Sequence, residues 1–311
     1  MQKTRPKQAY QLNDSPFYNL ATKRKLAALL RVSSDTLAEL YSGKVMYVRR
    51  WKHKKLDKWL REAPAIDVAE NYRPIDIPDP RLKSIQTRVA TLLARIQPPD
   101  FLYSPVRGRS YVENAARHIG SKAFWLLDVA DYFPSCSSNN VARFFHRDLN
   151  CSADVAAILV KLTTLSGCLP QGSPCSPILA FYCNRPMWLS IEQCVKKAGC
   201  KLSLYADDIT ISGDIVRKSV IWEIKKIVHG SGLRLKSSKE VSLICAPADI
   251  TGVIVKQSGT HLPNRQLKKL AELKKLRPNV TSPKEREKLE NQISGRLAQR
   301  RQVETFKIAN A

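Results

Sequence analysis

Apolar positions recur along this chain at two periods, and the switches between them mark its elements. Leu82, Ile85, Val89, Leu92, Leu93 and Ile96 keep helical spacing, which predicts a helix opened by Asp79-Pro80 and stopped by Pro98-Pro99. Val216, Val220, Ile221, Ile224, Ile227 and Val228 predict another, closed by Gly230. Shorter helices are expected around Glu113 to Ile119, at 139–148, at 153–165, and from Ser176-Pro177, where proline takes a favoured first position. Residues 1–60 read as helical, with Leu26, Leu29, Leu30, Leu37 and Leu40 as apolar faces, and the chain from Pro263 onward reads as helical too. Strand-like runs lie at Tyr72 to Ile77, Phe124 to Val129, Leu202 to Ala206, Ile209 to Ser212, Val241 to Cys245 and Thr251 to Val255. Strands and helices alternate without a dinucleotide-binding fingerprint, so the expected class is α+β.

Charge narrows the picture. The 311 residues are 43% hydrophobic, enough for a sizeable core in two or three lobes, yet carry a net charge of +25. That balance calls for a polyanion, nucleic acid before an anionic membrane surface. No apolar run is long enough to span a bilayer, and the polar start Met1 to Lys7 lacks a signal-peptide core, so no membrane role is expected. The eight cysteines are scattered without a Cys-x-x-Cys, which argues against zinc and for free thiols in a reducing cytoplasm. Two stretches concentrate the charge. Lys44 to Lys58 interleaves cations with Tyr47 and Trp51, a mixture that suits nucleic acid or an amphipathic helix with a solvated basic face. Residues 263–311 hold 13 Lys and Arg against 5 Asp and Glu, a net of +8.

The candidate chemistry sits between two of the strands. Leu202 to Ala206 and Ile209 to Ser212 flank Asp207-Asp208 as a hairpin would. A two-residue turn favours glycine or Asn-Gly, because its backbone needs positive φ, so two adjacent acids break a local rule. Either they form a solvated turn or they mount a hard divalent cation, which takes oxygen ligands. A metal site needs a third carboxylate. Asp128 closes the apolar run Phe124 to Leu127, where a buried carboxylate is costly unless paired or metal-bound. Three such groups could hold two divalent ions about 3.5–4 Å apart, the arrangement for in-line phosphoryl displacement.

With these residues in view the chain resembles a reverse transcriptase. Tyr205-Ala-Asp-Asp208 resembles the family's Tyr-x-Asp-Asp hairpin, and Leu126-Leu-Asp-Val-Ala-Asp-Tyr-Phe-Pro-Ser135 its first metal-binding motif. Leu169-Pro-Gln-Gly-Ser-Pro174 resembles the loop against the incoming nucleotide, and Gly232-Leu-Arg-Leu-Lys-Ser-Ser-Lys239 the next motif in order. Within the family the likeness is to bacterial retron enzymes, through Asn114-Ala-Ala-Arg-His118 and through Ile250-Thr-Gly252 in place of the usual Val-Thr-Gly.

The resemblance implies a right-hand polymerase with fingers, an antiparallel palm sheet backed by helices, and a helical thumb. It places a basic helical N-terminal region at 1–60 and fingers with the retron element at 61–122. The palm follows at 123–248, with part of the fingers at 135–175, then primer-grip strands and a basic thumb at 249–311. Asp128, Asp207 and Asp208 become the catalytic acids, and with the Val129 carbonyl they would hold two Mg²⁺ ions. Arg73, Lys83, Gln171, Gly172 and Lys239 are implied at the nucleotide. Phe133 either stacks below the sugar or packs in the core. Asn114 and His118 are implied in recognition of the retron RNA, and Lys268, Lys269, Lys274 and Lys275 in gripping an RNA stem. The expected partners are a structured noncoding RNA, its branched msDNA product, dNTPs and a retron effector protein of antiphage defence. A group II intron type of reverse transcriptase priming from a 3′-hydroxyl, or a silent RNA-binding scaffold, are the alternatives.

Overall fold

The computed structural model describes residues 9–43, 47–279 and 281–306, so Met1 to Lys7 and Lys44 of the basic stretch lie outside the described residues. The chain divides into two compact units. The first comprises Met1–Pro99, Ala130–Trp188 and Ser231–Leu233; the second comprises Asp100–Val129, Leu189–Gly230 and Arg234–Ala311. The segments anticipated from sequence were linear, whereas the chain passes repeatedly between the two units.

The first unit opens with α1 (Lys23–Leu30) and α2 (Ser34–Ser42). Thr22 and Ser33 cap them by accepting the Lys25 and Thr36 amides. It continues through β1 (Tyr47–His53), β2 (Trp59–Leu60), β3 (Tyr72–Pro78) and α3 (Pro80–Leu93). The expected helix over residues 47–60 is therefore corrected to strands. Tyr47, Arg49, Trp51 and His53 alternate with Val48, Arg50 and Lys52, and β1 pairs with β3 along its whole length in the order β2-β1-β3. Arg49 bridges Asp76 across the pair at 2.7 Å, so part of the charge that suggested a solvated helix face is spent on a cross-strand contact. Asp79 caps α3 through the Arg81 and Leu82 amides, with proline in its first turn.

In the second unit the chain runs through β4 (Leu102–Ser104), α4 (Tyr111–Ala116) and β5 (Ala123–Asp128). It returns to the first unit for α5 (Tyr132–Ser135), α6 (Ser138–Arg143), α7 (Ala153–Thr163) and α8 (Ser176–Cys183). Passing back along α9 (Arg185–Lys197), it forms β6 (Lys201–Tyr205), β7 (Asp208–Gly213) and α10 (Lys218–Gly230). There follow β8 (Val241–Ile244), β9 (Ala248–Ile250), β10 (Val253–Lys256) and β11 (Gly259–His261). The described chain ends with α11 (Asn264–Leu276) and α12 (Pro283–Glu304).

The second unit is built on a five-stranded sheet in the order β4-β6-β7-β5-β8, antiparallel except for β4 with β6. The mixture of elements fits α+β. The strands bearing Leu202 to Tyr205 and Asp128 share this sheet, with β7 between them. Alternation divides β6 and β7 into two faces. Leu202, Leu204, Ile209 and Ile211 bury one; Ser203, Tyr205, Asp208, Thr210 and Ser212 lie on the other. A separate core joins Val112, Ala115, Phe124, Ile250, Val253, Val255 and Val303, so α4 and the β9–β10 pair pack on the polar side of that sheet. Leu270 of α11 packs with Leu289 and Ile293 of α12. Among the described residues no helix is long and apolar enough to cross a membrane.

Candidate active site

Register decides where each acid falls. Tyr205 pairs with Asp208, so the two-residue turn is Ala206-Asp207 and Asp208 already belongs to β7. The anticipated Asp207-Asp208 turn is thus one residue out of place. Ala206 has φ +56° and supplies the positive backbone angle that a tight hairpin needs, which leaves both acids free of that strain.

On the other side of β7, Asp208 is the direct cross-strand partner of Asp128, at the last pair of the β5–β7 ladder. Such partners have Cβ atoms about 4.5–5.5 Å apart, close for like charges. The Val129 amide donates to the Asp207 carbonyl at 3.0 Å and the Lys236 amide to the Asp128 carbonyl at 2.8 Å, which ties all three acids to one backbone frame. Asp128 is 5% exposed. Burial first, then the charges of Asp207 and Asp128, push the Asp208 carboxyl up to about 7. Lys239 pulls the other way, and its ammonium is hydrogen-bonded to the Asp128 carboxylate, which raises the lysine in turn. The neighbouring Glu240 is held by the Trp125 indole at 3.0 Å and by Lys225 at 2.7 Å, so the segment carrying Lys239 is fixed to β5 and α10.

The acids open into a cleft of about 480 Å³ whose lining includes Leu126, Asp128, Asp208, Lys239, Asp249 and Thr251. Carboxylates beside backbone carbonyls suit a hard divalent cation, and a carboxyl raised by burial and by neighbouring negative charge is one that added positive charge would help to ionise. Among the described residues no three His, Cys, Asp or Glu side chains already converge on one point as a finished ligand group. The donors fit, and the geometry is open.

The other residues singled out from sequence fall in different places. In the first unit the Gln171 carbonyl accepts the Asp76 amide of β3 at 2.6 Å, and Gly172 lies so close that a Cβ would sit 2.4 Å from the Asp76 carbonyl oxygen. Glycine is required there by space and by its φ of +125°. Arg73 is exposed on that same strand and Lys83 is exposed on α3. Phe133 is half-buried on α5 beside the Tyr132 ring. In the second unit Lys268, Lys269, Lys274 and Lys275 are all exposed on α11.

Asn114 and His118 lie in the interior of the second unit. They are 1% and 0% exposed, so neither side chain presents a surface to RNA. His118 instead hydrogen-bonds Ser212 and Ser203, both at 2.7 Å, and Asn114 donates to Thr251 at 3.3 Å. Thr251 belongs to the Ile250-Thr-Gly252 motif, whereas Ser203 and Ser212 were not anticipated. The only signal for the two serines is a hydroxyl at alternate positions of otherwise apolar strands, which demands a partner once buried.

The reverse transcriptase (RNA-dependent DNA polymerase) family model matches residues 53–257, more than half of the chain, and the chain belongs to that family. Several relatives to which it is similar are bacterial retron enzymes. It is 29% identical over 256 residues to the retron Se72 reverse transcriptase of Salmonella heidelberg, covering 75% of this chain and 66% of that protein. It is 28% identical over 207 residues to the retron Ec86 reverse transcriptase of Escherichia coli, covering 65% and 64%. A third relative, the retron Mx65 reverse transcriptase of Myxococcus xanthus, is 32% identical over 167 residues, covering 46% and 38%. The matches to Se72 and Ec86 thus span just under two thirds of those proteins' length.

Proposed function

We propose that this chain is an RNA-directed DNA polymerase that copies part of a structured noncoding RNA into branched msDNA. In this reading synthesis starts from a 2′-hydroxyl and forms the core of a retron defence system with an effector protein. The observation that carries the reading is the Asp128–Asp208 cross-strand pair, with Asp207 in the adjoining turn and the Asp208 carboxyl raised by burial first and by the other two acids next. Acids arranged in this way are wasteful in a structural role and useful to a phosphoryl-transfer enzyme.

Asp128, Asp207 and Asp208, with the Val129 carbonyl, would hold two Mg²⁺ ions, which when bound lower the pKa of the priming hydroxyl and neutralise the leaving pyrophosphate. The protein's own part is positional. β5 and β7 fix two carboxylates at one ladder end, and the hairpin turn presents the third. Lys239, whose ammonium hydrogen-bonds the Asp128 carboxylate, would donate a proton to the departing pyrophosphate. Arg73 and Lys83 would meet the triphosphate, Gln171 and Gly172 the nucleotide, and Phe133 the sugar. The second unit's sheet corresponds to a palm, the β1–β3 sheet to fingers, and α11 with α12 to a thumb gripping RNA through its lysines.

The test is Mg²⁺-dependent dNTP incorporation by the purified protein with its copurifying RNA. Wild type should incorporate and Asp207→Asn should not; an inactive wild type, or a mutant equal to it, sinks the proposal. Mapping the linkage at the product's 5′ end then decides between 2′ and 3′ priming.

A further inference from the structure

We infer that the α4 segment is the positioning element of the two-aspartate hairpin, acting through His118. The His118 ring is fully enclosed and touches both strands of the hairpin at once: Nδ1 lies 2.7 Å from Ser212 Oγ on β7, and Nε2 lies 2.7 Å from Ser203 Oγ on β6. Ser203 and Ser212 share the sheet face that carries Asp208, which stands four residues along β7 from Ser212. A rotation or slip of either strand would break one of these bonds and shift the acids with it.

The chemistry of the contact is that of a fixed spacer. Burial, reinforced by Arg117 and Lys201, pushes the imidazole down to about 3, so it stays neutral under ordinary conditions. A neutral imidazole donates from one nitrogen and accepts at the other, so it can satisfy one serine as acceptor and the other as donor. Ser121 Oγ, 2.9 Å from Ser212 Oγ, extends the chain of hydroxyls. Left without partners, these buried hydroxyls would destabilise the fold.

The same segment also holds the opposite wall of the cleft. Ile250 pairs with Val253, leaving Thr251-Gly252 as a two-residue turn with φ of +49° and +82°. A β-branched residue in that region is strained. Two bonds from α4 hold it there: Asn114 Nδ2 donates to Thr251 Oγ1 at 3.3 Å, and that hydroxyl donates to the Tyr111 carbonyl at 3.2 Å. Thr251 lines the cleft with Asp128 and Asp208. The segment Tyr111 to His118 therefore touches both the hairpin and the Thr251 turn that lines the cleft. An RNA-recognition role for Asn114 and His118 would need exposed atoms that these side chains lack.

The inference rests on the polymerase reading, and its test separates the two. Wild type, His118→Leu and His118→Gln are compared with copurifying RNA for turnover at saturating dNTP, KM for dNTP, half-saturating Mg²⁺ and Kd for the RNA. His118→Leu should lose about 10- to 100-fold in turnover, the cost of displaced catalytic groups. It should also need more Mg²⁺, with KM and RNA Kd within about two-fold of wild type. Glutamine keeps one donor and one acceptor and should recover part of the turnover. Ser203→Ala removes a single bond and serves if the leucine variant does not fold; it should show the same split, smaller. Normal turnover at saturating RNA with a weakened RNA Kd would overturn the inference and leave the polymerase reading standing. An inactive wild type would sink both.

Discussion

Replacing Asp208 by asparagine should stabilise the metal-free protein at neutral and alkaline pH, although it removes a proposed catalytic acid. The wild-type carboxyl is moved from 3.8 to about 7, chiefly by burial and then by Asp207 and Asp128. At about 1.4 kcal/mol per pH unit, holding it ionised in the folded state costs about 4 kcal/mol. The sign follows from linkage. The folded carboxyl binds its proton more tightly than the unfolded one, so this stability is fully present below pH 3.8 and is lost as pH rises towards 7. Asparagine cannot ionise and escapes the loss. The melting temperatures of variant and wild type, measured in chelator across this range, should therefore diverge as pH rises. At about 2 °C per kcal/mol for a chain of this size, the gap should widen by several degrees. Adding Mg²⁺ should close it by stabilising the wild type more than the variant, as any ligand of the folded state does. A gap that does not change with pH, or equal stabilisation of both proteins by Mg²⁺, would refute the account of these acids.

Two further outcomes follow from the fold. Gly172→Ala forces a Cβ to within 2.4 Å of the Asp76 carbonyl at a φ of +125°; it should cost about 3 kcal/mol or more in thermal stability and a wild-type melting curve would contradict it. Changing Lys268, Lys269, Lys274 and Lys275 to alanine should leave melting unchanged, because all four are exposed. If they meet phosphates, the slope of log RNA affinity against log salt should flatten by about 0.7–0.9 for each phosphate no longer neutralised, and an unchanged slope would remove them from the RNA interface.

How much of this was legible depended on how local the cause was. The start of α3 was readable because Asp79 and Pro80 signal it within two residues, and the hairpin was readable because β6 and β7 are adjacent in sequence. β1 was not, because its register is set by β3, some twenty residues away, and its charges hid the alternation. The turn expected at Asp207-Asp208 lies one residue earlier because two adjacent acids have the polarity of a turn, whereas pairing with Tyr205 claims Asp208 for the strand. His118 shows the largest gap between pattern and place. Its spacing from Asn114 is visible in sequence, but full burial against Ser203 and Ser212 depends on partners 85 and 94 residues distant.

Several unfavourable features of the second unit lie near one cleft. Ala206 and Thr251 hold positive φ, and Asp208 is kept from ionising at its ordinary pH. Each is imposed by ordinary interactions nearby: the ladder of β6, β7 and β5, the hydroxyl chain on His118, and the Asn114–Thr251 bond. Strain gathered in this way and maintained by its surroundings marks a site built for binding or chemistry. Electrostatics then indicates what the cleft should bind. The Lys239 ammonium already neutralises part of the acidic charge on Asp128, yet Asp208 still stands near 7. Burial and the charges of Asp207 and Asp128 together outweigh that one positive charge. The cleft should be most stable with further cationic charge beside Asp207 and Asp208, which is the electrostatic case for divalent ions there in addition to the lysine.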